Sequence, residues 1–218
     1  MTLTVDKQIE AFPHTNLSKI VGTPTYETIK ILNEEISANA VTISNDSGGI
    51  YGYLALTIPA AIYSTVTATP FVAPHAPANP DLTGLTGPQI SARNRQFDRN
   101  KATFNDYTSL QLALKKQLIA AVEPIYLRAI RDKYVGFGNL TILEMLTHLY
   151  SSYAKITPAD LEKNDVRMKA PYDANDPPEL LIQQVQDGVD YAAHADCPYS
   201  PEQVVTIAYN LVNQTGIF

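Results

Sequence analysis

LTILEMLTHLYSSYAKITPADLEKNDVRMKAPYDANDPPELLIQQVQDGVDYAAHADCPYSPEQVVTIAYNLVNQTGIF, residues 140–218, spells out three helix starts. Thr141-Ile142-Leu143-Glu144 has the form of a capping box: the threonine hydroxyl accepts from the amide three residues on, and the glutamate reaches back to the threonine amide. Thr157-Pro158-Ala159-Asp160 and Ser200-Pro201-Glu202-Gln203 repeat the device. In both, proline stands at the first helical position, where its fixed φ suits the helix and its missing N–H is not needed. Behind the caps apolar residues recur at three- and four-residue steps: Ile142, Leu146, Leu149 and Tyr153; Leu181, Val185, Val189 and Ala192; Val204, Ala208 and Leu211. Each segment is therefore an amphipathic helix with one face to bury.

Upstream, residues 1–22 read as an extended arm anchored by Ile9, Phe12, Leu17 and Ile20. Thr23 is placed to cap a helix with Pro24 in its first turn, running to about Ser37 through Tyr26, Ile29, Leu32 and Ile36. A turn cluster at residues 45–49 precedes an aromatic and β-branched run, Ile50 to Ile58, which suits a strand or small hairpin, and a short helix opens at Pro59. Pro70, Pro74, Pro77, Pro80 and Pro88 are too closely spaced for helix or interior strand and leave an extended, polyproline-like crossing. Pro88 then opens the longest helical pattern, with Phe97, Phe104, Tyr107, Leu110, Leu114, Leu118 and Val122 along one face. Pro124 should kink or restart it, with Ile125, Tyr126, Ala129 and Ile130 continuing.

The expected fold class is thus mostly α, a helical bundle in two lobes with an N-terminal arm and a short β-like or extended insertion. The arm is 1–22, the larger lobe 23–170 with a Pro-rich insertion at 67–88, and the small lobe 171–218. The Pro- and Asp-rich residues 170–178 are the expected hinge.

The 218 residues suffice for one good core or two small lobes. Hydrophobic residues make up 45% and charged residues 17%, so the chain has a folded-protein composition with a lightly charged surface, of the kind that neighbouring copies cover. The one cysteine, Cys197, excludes an intramolecular disulfide and fits a reducing, cytoplasmic home. The start, Met1 to Lys7, lacks the pattern of a signal peptide, threonine at position 2 does not fit N-myristoylation, and no apolar run reaches membrane-spanning length.

No motif carries catalysis convincingly. Asp46-Ser47-Gly48 has the letters of an aspartic protease, but the helical pattern after it offers no second carboxylate-bearing half. His194 and Cys197 supply two of the four ligands that a structural zinc needs. Cys197 paired with His14, His75 or His148 would need geometry beyond the sequence. Gly48-Gly49-Ile50-Tyr51-Gly52 lacks the lysine of a phosphate loop. No catalytic residue, cofactor or metal is expected, and the chain reads as a protein that is not an enzyme.

Charge and tyrosine usage point to surfaces instead. Lys plus Arg against Asp plus Glu is 3 to 7 over residues 1–86, 9 to 4 over 87–133 and 4 to 11 over 134–218. The basic middle includes Arg93, Arg95, Arg99, Lys101, Lys115 and Lys116, then Arg128, Arg131 and Lys133. Such residues serve as a solvated helix face, an intersubunit contact or a phosphate-binding surface. Thirteen tyrosines and no tryptophan favour positions with one end buried and one wet. Tyr150, Tyr153, Tyr191, Tyr199 and Tyr209 are accordingly candidates for self-assembly contacts or for the core.

The order of the quoted stretch resembles the capsid region of Gag proteins from copia-type LTR retrotransposons, in particular the branch abundant in microalgae. There a helix with LxxLYxxY is followed by TPxxLxxN, a YDPxxP turn, an amphipathic helix and a final xPYTPEQxVxxAYNLxxxTGxF. GTPTYETIKILNEEISANAVTI at 22–43, GGIYGYLALTIPAAIYSTV at 48–66 and PFVAPHAPANP at 70–80 fall in the same order, so the resemblance covers nearly the whole chain. It implies a structural capsid subunit that self-assembles into virus-like particles, shells or tubes, around element RNA, with the larger lobe forming rings and the small lobe linking them. Family members carry RNA mainly through a basic tail beyond this region, so RNA is expected as a weak partner here and membrane as none. The alternative is a non-assembling helical interaction module, a Gag fragment adopted by its host.

Overall fold

All three capping boxes form. In the computed structural model, which describes residues 4–43 and 49–216, the Thr141 hydroxyl accepts from the Glu144 amide at 3.1 Å while the Thr141 amide donates to the Glu144 carboxylate at 2.7 Å. Thr157 with Asp160 and Ser200 with Gln203 repeat the reciprocal pair. These boxes open α6 (Ile142–Tyr153), α7 (Pro158–Met168) and α9 (Pro201–Gln214), with α8 (Pro178–His194) between the last two. Upstream lie α1 (Val5–Ala11), α2 (Tyr26–Thr42), α3 (Ala60–Val66), α4 (Gly87–Ala121) and the single turn α5 (Pro124–Leu127). The fold is mostly α, with an isolated β bridge between Asp132 and Gly136.

Packing divides the chain into two units, Met1–Ala154 and Lys155–Phe218. The division falls before α7, not at the expected 170/171. Met168 of α7 is fully buried in one cluster with Val185, Ile207 and Leu211, which ties α7 to α8 and α9. The expected hinge at 170–178 is therefore a loop inside the second unit. Gln184 Nε2 holds its start through the Met168 and Ala170 carbonyls at 3.1 and 2.9 Å, and the Tyr172 hydroxyl donates to the Asp176 carbonyl.

In the first unit the spine is the C-terminal half of α4, where Leu110, Ala113, Leu114 and Leu118 are fully buried. Ile29, Leu32 and Ile36 of α2 and Met145, Leu146 and Leu149 of α6 close the core around it. The arm is not wholly extended. Residues 5–11 form α1, whose Gln8 side chain donates to the Asp106 carbonyl of α4 at 3.2 Å. Beyond it Phe12, Leu17 and Ile20 are buried as anchors. Their backbone is locked by two buried amides. Asn39 exchanges bonds with both the N–H and the C=O of His14, and Gln117 Nε2 donates to the carbonyls of His14 and Thr15 at 2.8 and 2.9 Å. Extended chain crossing a core must satisfy its backbone groups somewhere, and these side chains do it.

Two expectations shift. α2 is capped by Thr25, not Thr23: Thr25 and Thr28 form the reciprocal pair, and the helix runs on to Thr42. The run from Ile50 to Ile58 is a turn with a 3-10 helix at Leu54–Leu56, not a strand, because Tyr53 turns inward to stack on Tyr107 at 5.7 Å. The restart expected at Pro124 does form, as α5 and a 3-10 turn at Arg128–Ile130, with Leu127 buried and Ile125 65% exposed. The Asp46-Ser47-Gly48 triplet lies outside the described residues.

The Pro-rich segment behaves as its composition demands. Residues 70–82 contain no helix or bridge, and Phe71, Pro74, Pro77 and Pro80 are half-buried while the residues between them are exposed. A burial period of three is that of a polyproline II helix lying on one edge. One end is pinned by Phe71 against Tyr53 at 6.0 Å, the other by Arg93 Nη1 donating to the Asp81 carbonyl at 3.1 Å.

Candidate assembly surfaces

The five tyrosines separate once burial is known. Tyr150 and Tyr153 pack at the margin of the first core, with their rings 6.2 Å from Tyr26 and 5.3 Å from Tyr126. Burial pushes the Tyr150 hydroxyl above its ordinary pKa. Tyr191 is 7% exposed beneath the Arg167 guanidinium, 5.7 Å away. The Tyr199 hydroxyl donates to Asp165 at 3.1 Å, and burial, then that carboxylate, raises its pKa. Tyr209 alone of the five is an open surface residue, at 65% exposure.

Tyr209 does not stand alone. On α9 the buried line is Ile207 and Leu211, so Val205, four residues before Tyr209, falls on the outer face and is 68% exposed. Glu202, three residues earlier, heads the same stripe. Its carboxyl is held below the usual range by the Ser200 hydroxyl and by a backbone amide. α9 thus presents an apolar ridge with one carboxylate at its head. Sequence periodicity missed Val205, because Val204 and Val205 are adjacent and either fits an apolar stripe.

The basic residues do not form one face. At about 100° per residue, Arg95 and Arg99 share one side of α4 while Arg93 and Lys101 lie on the other. Arg93 is bonded to the Asp81 carbonyl, Arg99 Nε to the Arg95 carbonyl at 3.4 Å, and Lys101 Nζ lies 5.9 Å from the Phe97 ring. Lys115 Nζ donates to the carbonyls of Phe137 and Gly138 at 3.1 and 3.3 Å; burial lowers its pKa, with Glu144 opposing. Lys116 pairs with Asp6 at 2.9 Å in an exposed contact of small energetic weight.

A second basic feature lies where α4 gives way to α5. Pro124 stops α4, and the chain returns through the 3-10 turn Arg128–Ile130 and a loop closed by two backbone bonds between Asp132 and Gly136. The Asp132 carboxylate rigidifies that loop by accepting from the amides of Tyr134 and Val135 at 2.7 and 2.9 Å, which holds its pKa low. The result is an open cleft of about 580 Å³ floored by Ile119, Leu127 and Phe137, walled by Pro124 and Ile125, and rimmed by Arg128 and Arg131. Both guanidiniums are solvent-exposed. Apolar floor and cationic rim together suit an apolar side chain with an adjacent carboxylate.

Two of the histidines weighed for catalysis or zinc have local partners. His148 bonds the Tyr126 carbonyl through Nε2 at 3.0 Å and the Ser152 hydroxyl through Nδ1 at 3.2 Å. His194 Nδ1 bonds the Asp190 carbonyl at 2.8 Å, and Cys197 is exposed. Among the described residues no three of His, Cys, Asp and Glu are grouped as a metal site, and no helix is long and apolar enough to cross a membrane. Comparison of the chain with protein-family models, with curated proteins and with solved structures gave no match in any of the three.

Proposed function

We propose that this chain is a structural, Gag-type capsid subunit of a retrotransposon, which self-assembles into particles in the cytoplasm and is not an enzyme. The observation that supports it most is the α9 ridge: a small three-helix unit leaves Val205 and Tyr209 largely exposed on one stripe. Adjacent large apolar side chains on so small a unit lose free energy to water until a neighbouring surface covers them. The division into two separately cored helical units and the sequence resemblance point the same way. Element RNA would be a weak partner, since most of the α4 cations already have contacts within the chain.

The test is negative-stain microscopy with light scattering on the purified chain across concentration and salt. Regular shells or tubes above a critical concentration are the expected result. A second reading, a non-assembling interaction module, draws on the cleft at Arg128 and Arg131, and a monomer under every condition would favour it.

A further inference from the structure

We infer that the α9 ridge of one copy docks into the Arg128 and Arg131 cleft of a second copy, making a head-to-tail contact. This rests on the capsid reading and gives it an interface. The two surfaces match in three respects. The cleft, of about 580 Å³, has an apolar floor. The ridge offers Val205 and Tyr209, two large side chains exposed to 68% and 65%. The cleft carries two exposed guanidiniums at its rim, and the ridge carries the Glu202 carboxylate at its head. The wider charge distribution agrees, because residues 155–218 hold four Lys or Arg against ten Asp or Glu, whereas residues 87–133 are net basic. The first unit as a whole balances twelve Lys or Arg against twelve Asp or Glu, so a second unit that meets its basic stretch escapes the repulsion that two second units would feel.

The geometry has a consequence for assembly. An interface made of one patch with itself is satisfied by a dimer. One made of two different patches leaves each dimer with a free ridge and a free cleft, so association propagates and closes only where the rotation allows. The two readings of the ridge are thus separable by complementation.

Two full-length variants decide it: Arg128→Glu with Arg131→Glu destroys the cleft, and Val205→Ser with Tyr209→Ser destroys the ridge. All four residues are exposed, so both variants should keep the wild-type helical circular dichroism. By analytical ultracentrifugation each variant alone should be monomeric at concentrations where the wild-type chain associates. Mixed in equal amounts they should form a species of twice the chain mass and no larger, at least tenfold weaker when the salt is raised from 50 to about 500 mM. A cleft variant that still dimerises would show that the ridge pairs with itself and overturn this inference, leaving the capsid reading intact. A mixture that stays monomeric beside an associating wild type would overturn it too, as would docking of the ridge within its own chain. A wild-type chain that is monomeric throughout would remove both the inference and the reading beneath it.

Discussion

Gly188→Ala sets two physical effects of opposite sign against each other. Gly188 is buried in the middle of α8, and Asn164 Nδ2 of α7 donates to its carbonyl at 2.9 Å. A Cβ at that position would lie 2.5 Å from Met168 Sδ, 2.7 Å from Cγ and 2.8 Å from Cβ. Helix propensity alone favours alanine by about 1 kcal/mol. Overpacking a core costs about 1 to 3 kcal/mol, and the upper end applies here, since swinging the thioether away leaves the Met168 Cβ still in conflict. If α7 retreats instead, the buried Asn164 bond lengthens, at a further cost of about 1 kcal/mol. The balance is a net loss of about 2 kcal/mol in the second unit, equivalent to roughly thirtyfold in its opening equilibrium. Hydrogen exchange read by mass spectrometry on the full chain gives α7 and α8 their own readout, with the α2 and α6 amides as internal reference. Protection should fall in α7 and α8 and hold in α2 and α6. Unchanged or increased protection in α7 and α8 would mean that the helices do not cross this closely.

Gly52→Ala should be more damaging to the first unit, by more than about 2 kcal/mol: φ is +49° and an added Cβ would meet the carbonyl oxygens of Ile43 and Val41 at 2.5 and 2.6 Å. A thermal midpoint within 3 °C of wild type, roughly, would refute it. Gln117→Leu removes the donor to the His14 and Thr15 carbonyls and the acceptor for Asn39 Nδ2, so it should cost about 2 kcal/mol by urea denaturation with an unchanged slope. Acidification should also destabilise the fold. The Thr141 amide and hydroxyl hold Glu144, the Thr157 hydroxyl and amide hold Asp160, and the amides of Val135 and Tyr134 hold Asp132, all below the usual carboxylate range. Groups whose folded pKa is depressed contribute stability above their unfolded value, about 4, and lose it as pH falls through the folded one. Stability should therefore hold from about pH 6 to 5 and decline below about 4, and Glu144→Gln should flatten that decline; identical profiles for variant and wild type would count against the cap.

What was legible in the sequence was local. The caps at Thr141, Thr157 and Ser200 need only a side chain and a backbone amide three residues apart, so no distant contact can change their meaning. Proline fixes its own φ and removes its own donor, which is why the crossing at residues 70–82 could be read as extended before its burial period was known. The apolar line of α6 and the α4 core line of Leu110, Leu114 and Leu118 also stand as read, since a continuous stripe at helical spacing has one way to be buried.

The tertiary structure decided matters of competition between alternatives that are locally equivalent. Val204 and Val205 both fit a helical stripe, and only the packing of α9 on α8 sends Val205 outward to join Tyr209. Five tyrosines of equal chemistry divide by what surrounds them. Residues 170–178 have the composition of a hinge, yet Met168 draws α7 into the second core and makes them an internal loop. Arg128 and Arg131 look like two more surface cations until the stop at Pro124 folds the chain back and sets an apolar floor between them. Caps and proline conformations are fixed by atoms a few bonds away. Burial, exposure and the pairing of surfaces depend on atoms brought together from distant parts of the chain, and those distances exist only after folding.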